Sequence, residues 1–542
     1  MLSGKLQPKW QSMEKWSFRS ACTVLQPQVD IDSSDQQKQI LLKDPRSRDI
    51  SPTATSPTHP SPAMAPHAEE PLSQLSPAQQ QPTTKKGHSS LPVPNPCLSY
   101  WHRTTRAFPY LNHNSTTPIP TSKIKYLIIG SGLAGSLTAY TLLQKGIPPP
   151  SILILEARES VSGASGRNAG HVRPDAFRGY AAYARIHGAE QARKIIENEK
   201  LVLESLAAFV TEHQISCDFQ STKTFDVCLT QEFAEYERES LQAFESAGGD
   251  ISHVSFYSGE EARKVTKVKE AVAAYEWPAG SSHPAKLAQW LLRECVEKGV
   301  GLWTHCPAEK IDSHSGSDPT ARWDVHTPRG TVLAENVIHC TNAYAAHLLP
   351  ELATFVTPNR AQAHTFVPGR ELSGEKALRS TMSLRYSLKH FFSLIQREGD
   401  GTVVFGMSRE NPLLSQEYKD SIVSFDDTSY SDEAATTAAT AFKTLFPDPS
   451  NARHGEGADH YWSGIIAMTP DSVPMVGAVD DKPGQFILAG FNGHGMARIW
   501  TSAPGLVDLM LSGSWPSTVP ECFRYSKERI ERAAKDDIKS VW

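Results

Sequence analysis

None of the eight cysteines falls in a C-x-x-C pair: Cys22, Cys97, Cys217, Cys228, Cys295, Cys306, Cys340 and Cys522 are scattered along 542 residues. That spacing suits neither a disulfide framework nor a zinc site, and it fits a reducing compartment. A long basic run is also missing. Lys+Arg number 54 against 59 Asp+Glu, a net charge of −5, which argues against a nucleic-acid partner. Long apolar runs are scarce too. Tyr126 to Leu143 is free of charge for 18 residues, the length at which a membrane span becomes a candidate. Gly130, Gly132 and Gly135 interrupt it, so it reads as strand, turn and helix start. The expectation is a soluble protein without a transmembrane segment, metal or nucleic acid. Its length allows about three units, or one large enzyme body with an appendage.

Glycine is nearly absent from the first 120 residues, where only Gly4 and Gly87 occur, whereas 17 of the 38 prolines precede Lys123. Gln28 to Lys86 is rich in Ser, Thr, Pro, Gln and Asp. Such a stretch buries too little surface to offset chain ordering, so 1–90 reads as a disordered tail. Lys5, Lys9, Lys15 and Arg19 interleave with Trp10, Trp16 and Phe18, a faint transit-peptide pattern that Glu14 weakens. Localisation reads as cytoplasmic, with mitochondrial import as the alternative. Aromatics return with Tyr100, Trp101, Phe108 and Tyr110. Prolines among them predict that 91–122 packs on the body as an extended arm.

The body begins at Lys123. Ile124–Ile129 reads as a short buried strand, Gly130-Ser131-Gly132-Leu133-Ala134-Gly135 as a turn, and Ser136–Lys145 as a helix. Ser151–Leu155 reads as a second strand, with Glu156 at its end. This is G-x-G-x-x-G between strand and helix, followed at the expected distance by an acid. The glycines allow a tight turn, close approach to a pyrophosphate and close helix packing, while the helix N-terminus offers N–H groups to the anion. Glu156 suits a free ribose 2′-hydroxyl, which leaves FAD or NAD rather than NADP. Ala157 and Arg158 follow it, then a small-residue loop with Ser165, Gly166, Arg167, Asn168, Ala169, Gly170 and His171. A matching late segment carries Gly464, Asp471 and the strand Gln485–Ala489, then Gly490, Phe491, Asn492, Gly493, His494, Gly495 and Met496.

These two ends resemble the FAD-dependent oxidoreductase family of D-amino-acid oxidase, sarcosine oxidase and glycine oxidase. Gly163 to Gly170 (GASGRNAG) is most similar to the gamma-glutamylputrescine oxidase-like branch, and Leu91 to Tyr100 resembles the lead-in of its fungal members. The resemblance implies an α/β fold: a Rossmann-like FAD-binding domain interleaved with an α+β substrate domain built on a mixed or antiparallel sheet. FAD-binding parts are expected at about 123–180, 280–350 and 455–511. The substrate domain is expected at 181–279 and 351–454, and a C-terminal extension at 512–542. Asn342 and Ala343, after the strand candidate Val332–Ile338, match a further cofactor contact.

The chemistry implied is oxidation of the C–N bond of an amine or amino acid by hydride transfer to flavin N5, giving an imine that hydrolyses. Oxygen or another acceptor would take the electrons. Backbone N–H groups of a helix starting at Phe491–Met496, among them Gly493 and Gly495, are the candidate anion hole for the reduced flavin, with His494 as a further donor. Arg173 suits a substrate carboxylate; Arg409 and His171 are the other substrate-facing candidates. His171 also stands where a covalent flavin link is conceivable. Ile466-Ala467-Met468-Thr469 lacks the cysteine of covalent sarcosine oxidases, and Val403–Ser408 lacks their lysine and histidine. Non-covalent FAD is therefore expected, sarcosine oxidase itself is disfavoured, and no general base can be named. Two other readings stay open: a non-catalytic flavin-binding or assembly protein of this fold, and an NAD-dependent dehydrogenase.

Overall fold

The computed structural model describes residues 90–540, apart from 319 and 451. The disordered-tail and transit-peptide readings for 1–89 lie outside the described residues.

Runs of Ile, Leu and Val build the first sheet. Ile124–Ile129 is central and parallel to Ile152–Leu155 on one side and Gly330–His339 on the other. Gly301–Trp303 extends the first side, and Gln485–Ala489 the second, both in parallel. Met475–Ala478 closes the edge antiparallel. Alternation assigns the two faces of Ile124–Ile129. Tyr126 and Ile128 pack with Leu137, Leu291 and Leu506 from the helices Leu133–Gln144, Pro284–Glu297 and Ile499–Ser512. Leu127 and Ile129 face Val325 and Val332 of the hairpin Trp323–Thr327 and Gly330–His339. Both faces are buried, as a parallel sheet requires.

The second sheet runs in the order Gly457–Met468, Thr357–Val367, Val403–Met407, Phe391–Gln396, Thr381–Arg385, Gln220–Cys228, Ala273–Ser281 and His171–Val172. Thr381–Arg385 and Gln220–Cys228 pair in parallel, while their outer partners are antiparallel. One face carries Phe225, Val227, Leu384, Phe392, Leu394 and Phe405, packed on Ala262 and on Ala434 and Ala438 of the helices Gly259–Thr266 and Asp432–Leu445. Period-2 alternation therefore turns Thr224, Asp226, Ser383, Arg385 and Ser393 to the other face. That second face carries the site.

Several elements differ from their sequence expectation. Gly188, at φ +83°, divides the helix expected at Ala181–Phe209 into Tyr180–His187 and Ala189–Glu212. The arm is not wholly extended: Ser99 caps one helical turn, Tyr100–Arg103, by accepting from His102 N. Gly457–Met468 belongs to the second sheet, although its position in sequence groups it with the cofactor-binding parts. No helix starts at Phe491; a 3-10 turn at Gly495–Ala497 precedes the helix Ile499–Ser512. No helix among the described residues is long and apolar enough to cross a membrane.

Candidate functional site

Because three parallel strands lie side by side, their carboxyl ends bring together Gly130, Cys340 and Gly490. Open α/β sheets bind ligands at such ends. A cavity of about 480 Å³ opens there, lined by both the early turn (Gly132, Leu133) and the late one (Asn492, Gly493), and roofed by the second sheet.

The early turn has the shape a dinucleotide needs. At Gly130, with φ +108°, a Cβ would stand 2.6 Å from Cys340 O, and at Gly135 a Cβ would stand 1.9 Å from Gly130 O. Only glycine lets this helix press onto its strand. Leu133 N, at the helix start, donates to Ser165 Oγ at 2.8 Å. Glu156 accepts from Ser131 N at 3.0 Å and Ser131 Oγ at 2.7 Å through one oxygen, and from Arg158 N at 3.0 Å through the other. Its carboxylate is thus fixed beside the turn, where ribose hydroxyls would meet it. The late turn is held by Asn342, whose Oδ1 accepts from Gly490 N at 3.1 Å and Phe491 N at 3.3 Å. Asn492 ties the same turn to Thr469 by two hydrogen bonds.

Most residues read as cofactor-binding line this cavity, including Ala134, Ala157, Arg158, Ser165, Arg167, Asn168, Ala169, Ala343, Gly464, His494, Gly495 and Met496. The cavity wall does not include Gly135, Gly166, Gly170, Gly490 or Asp471, and each has another physical task. Gly135 packs the helix as above. Gly166 leaves room for His102 and accepts from Ser99 Oγ at 2.6 Å. Gly170, at φ +85°, abuts Ser282 and Trp101, and Gly490 turns the chain at φ +77°. Asp471 is gripped by Arg529 at 2.6 and 2.9 Å, which anchors the helix Lys527–Lys535 of the C-terminal extension. The Arg158 and Arg167 guanidiniums also turn to structural partners. Arg158 pairs with Asp427 at 2.9 Å, and Arg167 donates to Cys97 O at 2.6 Å and Ser463 O at 2.9 Å. The arm is clamped to the loop: Trp101 Nε1 donates to Asn168 O at 2.6 Å.

The opposite wall is cationic. Asp226, fully buried, accepts from Arg173 Nη2 at 2.8 Å, Arg178 Nη1 at 2.6 Å and Arg385 Nε at 3.2 Å. Burial would raise its pKa, but the three guanidiniums outweigh burial and hold it below the ordinary carboxylate range. Burial, followed by the neighbouring Asp226 charge, pushes Glu237 well up, so it adds little negative charge. One carboxylate therefore pairs directly with all three arginines, and Asp175 adds a negative charge near Arg178. Arg173 is braced further by Thr224 Oγ1 at 2.8 Å and by the Trp277 ring at 4.8 Å. Arg385 is 4% exposed, lies 4.3 Å from the Phe391 ring centroid, and its Nη1 has no hydrogen-bond partner. Burial, then Arg178, lowers its pKa to about 10. His171 lines the cavity with both ring nitrogens unpartnered. Burial, then Arg173, pushes its pKa down to about 3, so the imidazole is neutral.

His494 is oriented from behind. Its Nδ1 lies 3.3 Å from Glu199 Oε1, which also accepts from Arg498 Nε at 2.7 Å, while Oε2 accepts from Asp175 N at 2.7 Å. Sequence reasoning missed Glu199, Asp226 and Arg385. Glu199 sits in a charged helical stretch that looks solvated, and Arg385 ends a five-residue strand with polar alternate positions.

The sequence profile of the FAD dependent oxidoreductase family matches residues 125–509. The chain belongs to that family. It is 24% identical over 385 residues to the probable oxidoreductase OrdL of Haemophilus influenzae, covering 68% of this chain and 79% of that protein. Over 374 residues it is 23% identical to the gamma-glutamylputrescine oxidoreductase of Escherichia coli, covering 68% and 79%. Among solved structures it resembles L-proline dehydrogenase from P. horikoshii, with TM-score 0.60, 19% identity, and coverage of 77% of this chain and 99% of that one. Glycine oxidase from Geobacillus kaustophilus gives TM-score 0.59 and 18% identity, with coverage of 75% and 99%. These structural likenesses speak to the fold. The family's cofactor is FAD, and the glycine cradle, the helix N-terminus and the Glu156 carboxylate fit it.

Proposed function

We propose that this oxidoreductase oxidises the C–N bond of an amine that carries a carboxylate, in effect an amino acid. The observation that carries the reading is the cavity wall on which Arg173, Arg178 and Arg385 all pair with the carboxylate of Asp226 while Arg385 Nη1 stays unpartnered. A surplus of buried positive charge calls for an anion, and a guanidinium edge suits a carboxylate.

Gly132, Leu133 and Ala134 would hold the pyrophosphate, and Glu156 the ribose. The turn at Gly493–Gly495, with His494, would face the pyrimidine edge of the ring. When bound, FAD would supply the acceptor for a hydride equivalent from the carbon attached to nitrogen. Arg385 and Arg173 fix the substrate carboxylate and so aim that carbon. Their charge also disfavours an ammonium nearby, so the amine gives up its proton to solvent and enters neutral. No side-chain base is required. Loss of hydride from the carbon of the neutral amine leaves a cationic iminium, and water hydrolyses its C=N bond to a carbonyl and an ammonium ion.

The test is anaerobic mixing of the FAD-loaded protein with amino acids and with the matching amines that lack the carboxylate. An amino acid is expected to bleach the flavin's visible absorption, with kcat/KM rising as pH rises. Equal bleaching by the decarboxylated amines, or none by any member of either series, would overturn the reading.

A further inference from the structure

Arg409 adds a further cation to this wall, with Glu410 the neighbouring negative charge. It lines the cavity, its Nε is shielded from solvent without a hydrogen-bond partner, and its Nη2 meets only Met468 Sδ, at 3.6 Å. Among the described residues it forms no ion pair, and Glu410 beside it is taken by Lys389 at 2.6 Å. A guanidinium held this way is costly unless an anion arrives to meet it.

The register places Arg409 relative to Arg385. Arg385 pairs with Phe391, and Ser408 N donates to Phe391 O at 3.0 Å on the far side. Arg385 and Ser408 are therefore two strand spacings apart, roughly 9–10 Å at the backbone. Arg385 lies over the Phe391 ring, Arg409 reaches Met468 on the opposite flank of the sheet, and both line one cavity.

We infer that Arg409 is a second anion anchor and that the substrate is an amine bearing two anionic groups, an amino or imino dicarboxylate. The inference rests on the amino-acid reading above and narrows it. Arg385 and Arg173 take the carboxylate next to the reacting carbon, and Arg409 takes the distal one. A substrate with a neutral or cationic far end leaves Arg409 uncompensated, which gives selectivity through an unmet buried charge.

The experiment is calorimetric titration of the FAD-loaded protein with two inert pairs: succinate against propionate, and glutarate against butyrate. Each dicarboxylate is expected to bind more tightly than its partner by on the order of tenfold or more, since a charge-assisted hydrogen bond contributes about 1.5–3 kcal/mol. In Arg409→Gln that ratio should collapse towards one, with FAD content retained. Should that variant fail to hold FAD, Arg409→Lys reads the same ratio, expected between the two. Equal affinities within each pair, or a ratio unmoved by the Arg409 variants, would overturn the inference and leave the amino-acid reading standing. Failure of all four anions to bind would overturn both.

Discussion

Glu199→Gln removes one charge and almost no volume, and its consequences can be worked through. Glu199 is fully buried on the helix Ala189–Glu212 and accepts from Arg498 and Asp175 N, each at 2.7 Å, with His494 at 3.3 Å. Burial alone would raise its pKa. Arg498 and His494 outweigh burial and hold it to about 2, against an ordinary 4.5. At ~1.36 kcal/mol per pKa unit, that difference is about 3 kcal/mol of native stability. The folded value lies below the unfolded one, so this stability is complete above about pH 4.5 and is lost as pH falls towards 2. Glutamine forgoes it and leaves Arg498, 0% exposed, without a counter-charge, a loss of about 3–5 kcal/mol. For a chain of this size the melting temperature moves by roughly 1 °C per kcal/mol. Thermal unfolding of the holoprotein by circular dichroism should therefore show a drop of about 3–5 °C at pH 7, shrinking as the wild type is acidified. Because His494 loses its orienting acceptor, kcat should fall more than KM changes, a split that mere loosening of packing would not give. A melting temperature unchanged at pH 7, together with an unaltered acid limb, would refute the reasoning.

The remaining expectations concern other contacts. Asp226→Asn leaves three buried guanidiniums without their shared carboxylate, so destabilisation of about 3–5 kcal/mol is expected in denaturant titration, against near-neutrality if the cluster is inert. Gly135→Ala places a methyl 1.9 Å from Gly130 O and should yield protein without flavin, read from the ratio of visible to ultraviolet absorbance. Trp101→Ala empties a site only 1% exposed and removes the 2.6 Å bond to Asn168 O. It should destabilise by roughly 3–5 kcal/mol and quicken FAD release, followed by fluorescence after dilution. Asp471→Asn should lower the melting temperature and expose the C-terminal helix to protease while flavin stoichiometry holds. Loss of flavin instead would return Asp471 to the cofactor site.

What could be read from sequence followed the local physics. Ile124–Ile129, Phe391–Gln396, Val403–Met407 and Gln485–Ala489 are apolar runs, and the structure gives them the bounds their composition suggests. The turn after Ile129 was legible because glycine there answers a steric demand that shows in the letters. Other strands hid their nature. Ala273–Ser281 contains Pro278 and Gly280, and Gly457–Met468 opens with charged and polar residues. The anion wall was least visible: Asp226 and Arg385 meet only through the parallel pairing of Thr381–Arg385 with Gln220–Cys228, and Arg178 joins them from the turn before the helix Tyr180–His187. Asp471 shows the opposite case: its surroundings resemble a cofactor motif, while its carboxylate is held by Arg529, 58 residues on.

The central claim is that one cavity between the early and late glycine turns holds FAD against the arginine-bearing sheet. A crystal structure of the purified, FAD-loaded protein tests it most directly. The account predicts the pyrophosphate at Gly132–Leu133, a ribose on Glu156, and the ring between the Gly493–Gly495 turn and the sheet face carrying Arg173 and Arg385. A flavin ring lying away from that sheet face, or FAD bound anywhere else on the chain, would contradict it.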